Sequence, residues 1–422
     1  MIAGHLRNGR ARSLAVNGRG RSQRGLRALP WILGPAALGG VLCLAPRVDA
    51  SGIEVVRIPA SYRTWEIGDS DSTMTVSQLH VPIVTSIGLG ESADLVLSTA
   101  YGSSTVEPPS TDGTASASDL SMNGNGDVKG QLFVRLLDNR LLLQAGLGVP
   151  AGKVGLDTEQ LTVVQALGNP LLGFRMKHYG EGLDLSGGAA FAVPLGSSVT
   201  AAVGAGFVTR GAYEFVAGED DFKPGQETSV SGGVDILSSG ARPALRLDAS
   251  YRMFGADQLG DNDIFQEGNQ LELQATTSFR PATARIDLTG RYVLKDDNEI
   301  LDPPGTDVEK IVMDAGTAFF VQGEAGFLLG SAFLGVSGNL TSFDGGEDGD
   351  GTTSEAAYTG STFGVGPVLE FGLGDSGRLR LGGQYLTGSI DERTLADETV
   401  VPSIDLSGFD VVVSLSWSPG AR

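Results

Sequence analysis

Cysteine is nearly absent from this chain of 422 residues, which contains only Cys43. One cysteine cannot form an intrachain disulfide or a zinc site built from several thiolates. Histidine is almost as rare, because only His80 and His178 lie after residue 50. No phosphate-binding glycine loop is present either. The sequence therefore predicts no catalytic, cofactor-binding or metal-ligating residue, and no cofactor.

A hydrophobic run of about 20 residues, long enough to cross a bilayer as a helix, is also missing after residue 50. The first 50 residues have a different composition. An arginine-rich stretch precedes the apolar stretch Leu29 to Ala45, and small residues stand before Ser51. This order is typical of a secretory signal peptide, and prolines interrupt the apolar stretch. We predict that residues 1–50 are a cleaved signal peptide rather than a membrane anchor, and that residues 51–422 form one domain.

The last segment of the chain alternates between two faces. One face carries Phe409, Val411, Val413, Leu415 and Trp417. The other carries Gly408, Asp410, Val412, Ser414 and Ser416. A period of two residues is typical of a β-strand with one apolar face. The same pattern recurs in Pro243–Phe254, Asn269–Arg280 and Gly377–Leu386.

Aromatic residues lie near the ends of these strands, on the apolar face. They are Tyr251, Phe279, Tyr292, Tyr385, Phe409 and Trp417. A soluble β-sandwich or β-solenoid does not need rings at strand ends, whereas a membrane barrel places them at the two interfaces. We therefore predict the all-β class, as a closed antiparallel transmembrane β-barrel.

The links between the predicted strands alternate in length, as in outer-membrane barrels. The short links, predicted as periplasmic turns, are Asp138–Asn139, Leu195–Ser198, Ser238–Arg242, Arg280–Ala282, Leu329–Ser331 and Gly372–Ser376. The long links, predicted as surface loops, are Gly102–Asn125, Gly211–Gly225, Gly255–Gly268, Lys295–Lys310, Phe343–Ala356 and Ser389–Ser403.

The strand count depends on whether Asp157–Leu167 is a helix within a surface loop or another strand. The alternation of long and short links is kept if it is a helix. The first hairpin is then Ile53–Ile67 with Thr73–Ile87. The count becomes about 16 strands, with roughly 14 to 18 admissible.

The net charge of the chain is −20, and an acidic surface repels nucleic acid, which we exclude as a partner. The acids cluster in the long links. They are Glu219, Asp220, Asp221, Asp257, Asp261, Asp263, Asp296, Asp297, Glu299, Asp344, Glu347, Asp348, Asp350, Asp391, Glu392, Asp397 and Glu398. On one rim they would form an acidic mouth that enriches cations and binds Ca²⁺ or Mg²⁺ at lipid headgroups. The alternative is that they only keep the loops solvated.

Charges of both signs lie on the predicted inner face. They are Arg246, Arg252, Arg285, Arg291, Arg378 and Arg380 with Asp248, Glu272, Asp287 and Asp410. Two hypotheses remain open. The residues form ion pairs that hold the barrel shape, or the arginines form a ladder that sets solute preference in a water-filled pore.

The segment Asn123–Lys153 resembles a hairpin of FadL-type hydrophobic-solute transporters and of the related barrels of aromatic-degradation pathways. The matching residues are Gly124, Gly126 and Asp127 at its start and Val149, Pro150, Gly152 and Lys153 at its end, with Ala151 where threonine is usual. The likeness is specific over this hairpin alone. The N-terminal hatch motif of fatty-acid transporters is not visible. The resemblance implies passive uptake of small, poorly soluble organic molecules.

Three functions follow from these patterns. The first is an outer-membrane channel for passive diffusion of small hydrophobic or aromatic solutes. The second is a non-catalytic structural or surface-binding barrel with cation-binding loops. The third is a barrel hydrolase, which would need His80 or His178 beside a serine or aspartate. Expected partners are outer-membrane lipid, lipopolysaccharide and the barrel-assembly machinery, because Phe409–Trp417 resembles the terminal strand signal of such barrels.

Overall fold

The computed structural model describes residues 52–68, 73–109, 119–238, 242–301, 310–313, 315–345, 359–394 and 400–418. The predicted signal peptide lies outside the described residues. So do Glu347, Asp348, Asp350, Asp397 and Glu398 of the predicted acidic mouth. No helix in the described ranges is long and apolar enough to cross a membrane.

The described residues contain 24 strands and one long helix, α1 (Thr158–Gly168). In chain order the strands are β1 (Gly52–Gly68), β2 (Thr73–Gly88), β3 (Ala93–Glu107), β4 (Leu120–Asn125), β5 (Val128–Leu136), β6 (Leu141–Val149), β7 (Asp184–Pro194), β8 (Val199–Arg210), β9 (Phe222–Lys223), β10 (Glu227–Ser238), β11 (Arg242–Phe254), β12 (Ala256–Leu259), β13 (Asn262–Gln266), β14 (Gln270–Phe279), β15 (Ala284–Lys295), β16 (Asn298–Leu301), β17 (Lys310–Met313), β18 (Thr317–Leu329), β19 (Ala332–Asp344), β20 (Thr359–Leu373), β21 (Gly377–Ile390), β22 (Arg393–Thr394), β23 (Val400–Val401) and β24 (Ile404–Trp417).

The long strands form one closed antiparallel barrel. Each pairs with its neighbour along the chain, and β1 closes the sheet against β24, for example at Ile58 opposite Leu415. The short strands β4 and β5 pair with successive parts of β3, so they act as one interrupted strand. The barrel therefore has sixteen strands, which confirms the predicted fold class and count.

The outer surface of the barrel is apolar, as the alternation predicts. The five apolar residues of β24, from Phe409 to Trp417, are 42 to 48% exposed, whereas Asp410 points inward and is buried. The same holds for Leu247 and Tyr251 in β11. The outward and inward faces assigned from sequence are therefore confirmed for these residues of β11 and β24.

The prediction of a surface loop over Gly102–Asn125 is wrong at both ends, where strands make up half of its length. Strand β3 continues to Glu107 and β4 begins at Leu120. The small polar residues of this stretch did not indicate a strand. Their inner face is covered by another part of the chain, since the Ser104 hydroxyl bonds the Tyr179 hydroxyl at 2.8 Å and Val106 is buried.

Four other predicted loops also contain short strands. We call the barrel end where β1 ends at Gly68 and β24 begins at Ile404 the loop rim. There β9, β12, β13, β16 and β17 form a second, five-stranded sheet, the rim sheet. It includes parts of the predicted loops Gly211–Gly225, Gly255–Gly268 and Lys295–Lys310. The predicted loop Ser389–Ser403 contains the separate pair β22 and β23. The connections at the loop rim therefore add ordered backbone pairing above the barrel.

Candidate functional site: the lumen and its in-folded segment

The connection between β6 and β7, residues 150–183, folds into the barrel, and we call it the in-folded segment. It contains α1, which begins after a capping box formed by Asp157 and Gln160. This settles Asp157–Leu167 as a helix. Its side chains Val163, Val164 and Leu167 are almost fully buried, so the helix lies against protein rather than in water.

The inner wall of the barrel supplies an apolar surface for this helix. The cluster that contains α1 also contains wall residues of β1, β2, β3, β4, β21 and β24, namely Trp65, Ile67, Met74, Val76, Val106, Met122, Leu386 and Leu406. These side chains point into the lumen, where a water-filled pore would have polar residues. One side of the lumen is therefore filled by a hydrophobic core.

Hydrogen bonds fix the residues that follow the helix. The Trp65 indole donates to the Leu172 carbonyl at 2.8 Å. The Gln78 amide oxygen accepts from the Arg175 and Met176 main-chain N–H groups at 3.0 Å, and its nitrogen donates to the Met176 carbonyl at 2.7 Å. Each such bond contributes about 1 kcal/mol and would cost more if a buried group lost its partner. The segment is thus held in one position along the wall.

Asp127 ties the two ends of the in-folded segment together. Its carboxylate accepts from the main-chain N–H groups of Ala151, Gly152 and Glu181 at 3.0, 2.9 and 2.7 Å. At this crossing a Cβ on Gly152 would lie 1.7 Å from the Tyr179 carbonyl oxygen. Only glycine allows so close an approach. The hairpin motif singled out in the sequence thus anchors the segment, a role its residues alone did not reveal.

A cavity of about 650 Å³ remains between the in-folded segment and the opposite wall. Its lining includes the rings of Phe174, Phe320 and Phe343. The charged lining residues are six bases, Lys129, Arg175, Lys177, Arg252, Arg291 and Lys295, and four acids, Asp127, Glu181, Glu267 and Glu272. The cavity lining therefore combines aromatic and charged side chains, and bases outnumber acids.

Most of the predicted inner arginines are neutralised by acids. Arg246 pairs with Asp248 at 2.7 Å and Arg252 with Glu272 at 3.0 Å. Three more, Arg285, Arg378 and Arg380, pair with Glu324 and Glu370, which were not among the predicted inner acids. These pairs confirm the ion-pair hypothesis for five of the six arginines. The exception is Arg291, whose guanidinium lies 4.2 Å from the centre of the Phe320 ring.

A second cavity, of about 140 Å³, lies beside the first and is lined by acids from connections and from the ends of β7 and β10. They are Glu181, Asp184, Glu227, Asp257 and Glu267. Asp257 was predicted to belong to the exposed acidic mouth, and this is wrong. It is buried, and its carboxylate accepts a hydrogen bond from the Gly225 N–H at 2.6 Å, which joins two connections. Exposed acids at the rim include Asp220, Asp261 and Asp297.

The protonation of Asp257 should make the local stability of the 255–269 connection depend on pH. Burial raises the pKa of this carboxyl from its ordinary 3.8 to about 7. Between these values the folded protein binds more protons than the unfolded chain, so local stability falls as the pH rises. We expect Asp257→Asn, which keeps an acceptor for Gly225, to reduce this fall. Asp184 and Glu267 in the same cavity account for what remains. The readout is the urea concentration at which the 255–269 connection becomes cleavable, at about pH 5 and about pH 8.

The matched control for this experiment is Asp261→Asn, because Asp261 is an exposed acid in the same connection. The control should retain the wild-type pH dependence. An Asp257→Asn protein with an unchanged pH dependence would contradict the assignment.

Neither histidine ring is hydrogen-bonded to a carboxylate or a serine among the described residues, although His178 shares a cavity lining with Glu181 and Asp184. The Nδ1 atoms of His80 and His178 are buried and have no hydrogen-bond partner among the described residues. A catalytic histidine is oriented by a carboxylate and bonded to a nucleophile. Neither bond is formed by these two rings in the described part of the chain. Likewise, the described ranges contain no group of three or more His, Cys, Asp or Glu side chains arranged to hold a metal ion.

Comparison with known proteins found no matching family and no matching curated protein. Solved structures gave matches. A bacterial polysaccharide outer membrane secretin is 10% identical, with a TM-score of 0.44 over 88% of this chain and 99% of that chain. OccK7 (OpdD) of Pseudomonas aeruginosa is 12% identical, with a TM-score of 0.39 over 87% of this chain and 100% of that chain.

A third solved structure is an outer membrane channel from Pseudomonas putida F1. It is 11% identical, with a TM-score of 0.34 over 90% of this chain and 99% of that chain. Values this low carry no argument about function. The resemblance of Asn123–Lys153 to FadL-type transporters therefore stays a prediction.

Proposed function

We propose that this chain is an outer-membrane channel through which small solutes diffuse passively. The observation that carries the proposal is the closed sixteen-strand barrel with an apolar outside and a cavity of about 650 Å³ beside the in-folded segment. Barrels of 16 to 18 strands are wide enough for an aqueous path. An apolar outer band is stable only in lipid, since strands in water do not expose so many large side chains.

The proposed location also explains the two kinds of connection. The short turns would face the periplasm, and the loop rim with its exposed acids would face outward. There the acids would meet lipopolysaccharide and the divalent cations that bridge its phosphates. The predicted signal peptide would direct export, and the β24 strand would be recognised by the barrel-assembly machinery.

The proposed solutes are small organic molecules with a hydrophobic or aromatic body. Support comes from the rings of Phe174, Phe320 and Phe343 in the cavity lining. Rings in a cavity wall stack on flat ligands. Transport would be driven by the concentration gradient alone.

A structural or surface-binding barrel is the second candidate function. It is favoured by the hydrophobic core inside the lumen, in which α1 and the wall residues Trp65 and Val76 exclude water. If the in-folded segment also closed the remaining cavity, no solute could pass. The barrel would then serve through its loop rim.

Electrical recording separates these two candidates. The purified protein is inserted into planar lipid bilayers, and we expect stepwise single-channel currents. Proteoliposomes should also swell in the presence of a small permeant solute. Folding is checked separately by the shift in gel mobility on heating. A folded barrel with neither current nor swelling would contradict the channel and leave the structural barrel.

A further inference from the structure

Two positive charges in the main cavity have no negative partner. Lys177 and Arg291 both line it. Among the described residues, neither has a carboxylate oxygen within 4.0 Å. The acids nearby are paired with other cations, since Glu272 lies 3.0 Å from Arg252 and Glu267 lies 3.7 Å from Lys295. The surplus charge of the cavity is therefore concentrated at these two side chains.

The position of Lys177 is set by the wall rather than by a flexible loop. It follows Met176, whose main-chain N–H and carbonyl are both held by Gln78. Burial and the neighbouring charges of Lys295 and Arg291 lower the pKa of the Lys177 amine, and Glu267 offsets only part of this effect. Crowded cations in a partly desolvated place repel each other, and a bound anion would relieve this repulsion.

Arg291 is held in a different way. Its guanidinium lies over the Phe320 ring, and this contact fixes the orientation of the guanidinium plane. The N–H donors at the edge of the guanidinium remain available to a ligand. Phe320 and Phe343 line the same cavity. Positive donors and apolar rings therefore stand side by side. A small carboxylic acid with a hydrophobic body matches this combination, because its charged end and its apolar end need those two surfaces.

We propose that Lys177 and Arg291 form a subsite that binds the carboxylate of a small organic anion, whose apolar body lies against Phe320 and Phe343. The proposal rests on the proposed channel function and narrows its solutes to anions with an apolar part. The subsite differs from the arginine ladder predicted from sequence, because one of its two cations comes from the in-folded segment. The other arginines of that ladder are neutralised.

Arg175 adds to the positive potential of the subsite. Its guanidinium lies 3.8 Å from Asp410, but the same carboxylate oxygen accepts from Arg63 at 2.7 Å. One negative charge is thus shared by two positive ones. The net field on this side of the lumen attracts anions, although the exposed rim acids attract cations. An anion would have to pass the rim before it reaches the subsite.

Binding in detergent tests the subsite without requiring a current. The probe is benzoate, titrated by calorimetry into the purified protein and into the double variant Lys177→Gln/Arg291→Gln. We expect the double variant to lose affinity by about tenfold or more, since two charge-assisted contacts disappear. The matched control is Lys310→Gln/Arg378→Gln, which removes the same charges from positions outside the cavity lining. It should bind as the wild type does.

Uncharged and inorganic probes test the two halves of the proposal. Benzyl alcohol, which has the ring but no charge, should bind at least several-fold more weakly than benzoate, and so should inorganic phosphate. Equal binding of benzyl alcohol would overturn the anion requirement. Equal binding of phosphate would overturn the organic part. Unchanged benzoate binding in the double variant would overturn the subsite itself.

Bilayer recording distinguishes failure of the subsite from failure of the channel. In a KCl gradient, the reversal potential of the wild type should be shifted toward chloride relative to the double variant. Currents with the same reversal potential in both proteins would count against the subsite while leaving the channel intact. Absence of current with variant-sensitive benzoate binding would refute the channel and keep the subsite.

Discussion

Replacing residues 150–183 by a two-residue hairpin turn should raise the single-channel conductance several-fold. The strands on either side, β6 and β7, are neighbours in the barrel, and their ladder ends at Gly148 opposite Asp184. A short turn can therefore join them without loss of any barrel hydrogen bond. What disappears is α1 and the chain that follows it, which now occupy one side of the lumen. A sixteen-strand barrel without this filling should hold a wide aqueous path.

The deletion has a cost in stability, which the experiment must take into account. Wall residues such as Trp65, Val76 and Leu406 would become exposed to water inside the lumen. Each large side chain uncovered in this way costs about 2 kcal/mol. The barrel ladder itself is unaffected, so heat-shifted gel mobility should still report a folded barrel at low temperature. A folded deletion variant with the wild-type conductance would show that the segment does not narrow the path.

Gly152→Ala should release the in-folded segment without removing it. The added Cβ would lie 1.7 Å from the Tyr179 carbonyl oxygen and 2.7 Å from the Gly180 Cα, and neither backbone can move without breaking the crossing. The three N–H bonds to Asp127 meet at the same place, so they should weaken together. We expect faster proteolysis within residues 150–183 and larger, fluctuating currents. Asp127→Ala should act in the same direction, because it removes the shared acceptor.

The matched control for this glycine is Gly290→Ala in β15. A Cβ at Gly290 would meet nothing within 4 Å, and its backbone is not in the left-handed region. The same chemical change should therefore leave proteolysis and current at the wild-type level. If Gly152→Ala also behaved as the wild type, the crossing would not be what holds the segment inside.

Much of the barrel could be predicted because the alternation of apolar and polar residues can be recognised within each strand separately. The outward residues of β24 alternate with inward ones over the whole strand, and a period of two needs no knowledge of the partner strand. The lengths of the connections can also be read directly from the sequence. Together with the alternation, they predict about 16 strands. The helix at Thr158–Gly168 stayed ambiguous because β-branched residues such as Val163 and Val164 suit strands as well. Its capping box at Asp157 and Gln160 was present in the sequence and is the signal that would have decided for a helix.

The in-folded segment could not be predicted in the same way, because its contacts join distant parts of the chain. Asp127 bonds Glu181, and Arg63 bonds the Leu172 carbonyl, without any periodic pattern that links these residues. One signal did exist. Met74 and Val76 are apolar on the inward face of β2, although a water-filled lumen would favour polar residues there. Apolar residues on both faces of a barrel strand indicate that something is packed inside.

The core within the lumen also bears on how the barrel assembles. The middle of the chain contacts both of its ends, since the Trp65 indole of β1 bonds Leu172 and Leu406 of β24 lies in the same cluster. Arg63 and Asp410 bridge the line along which β1 and β24 meet. These contacts join residues that are far apart in the sequence. Because closing such long loops costs chain entropy, we expect the contacts to form late in folding. Packing of the in-folded segment in the lumen is thus coupled to the pairing of β1 with β24. Before that pairing, α1 would lack the wall residues of one of the two chain ends.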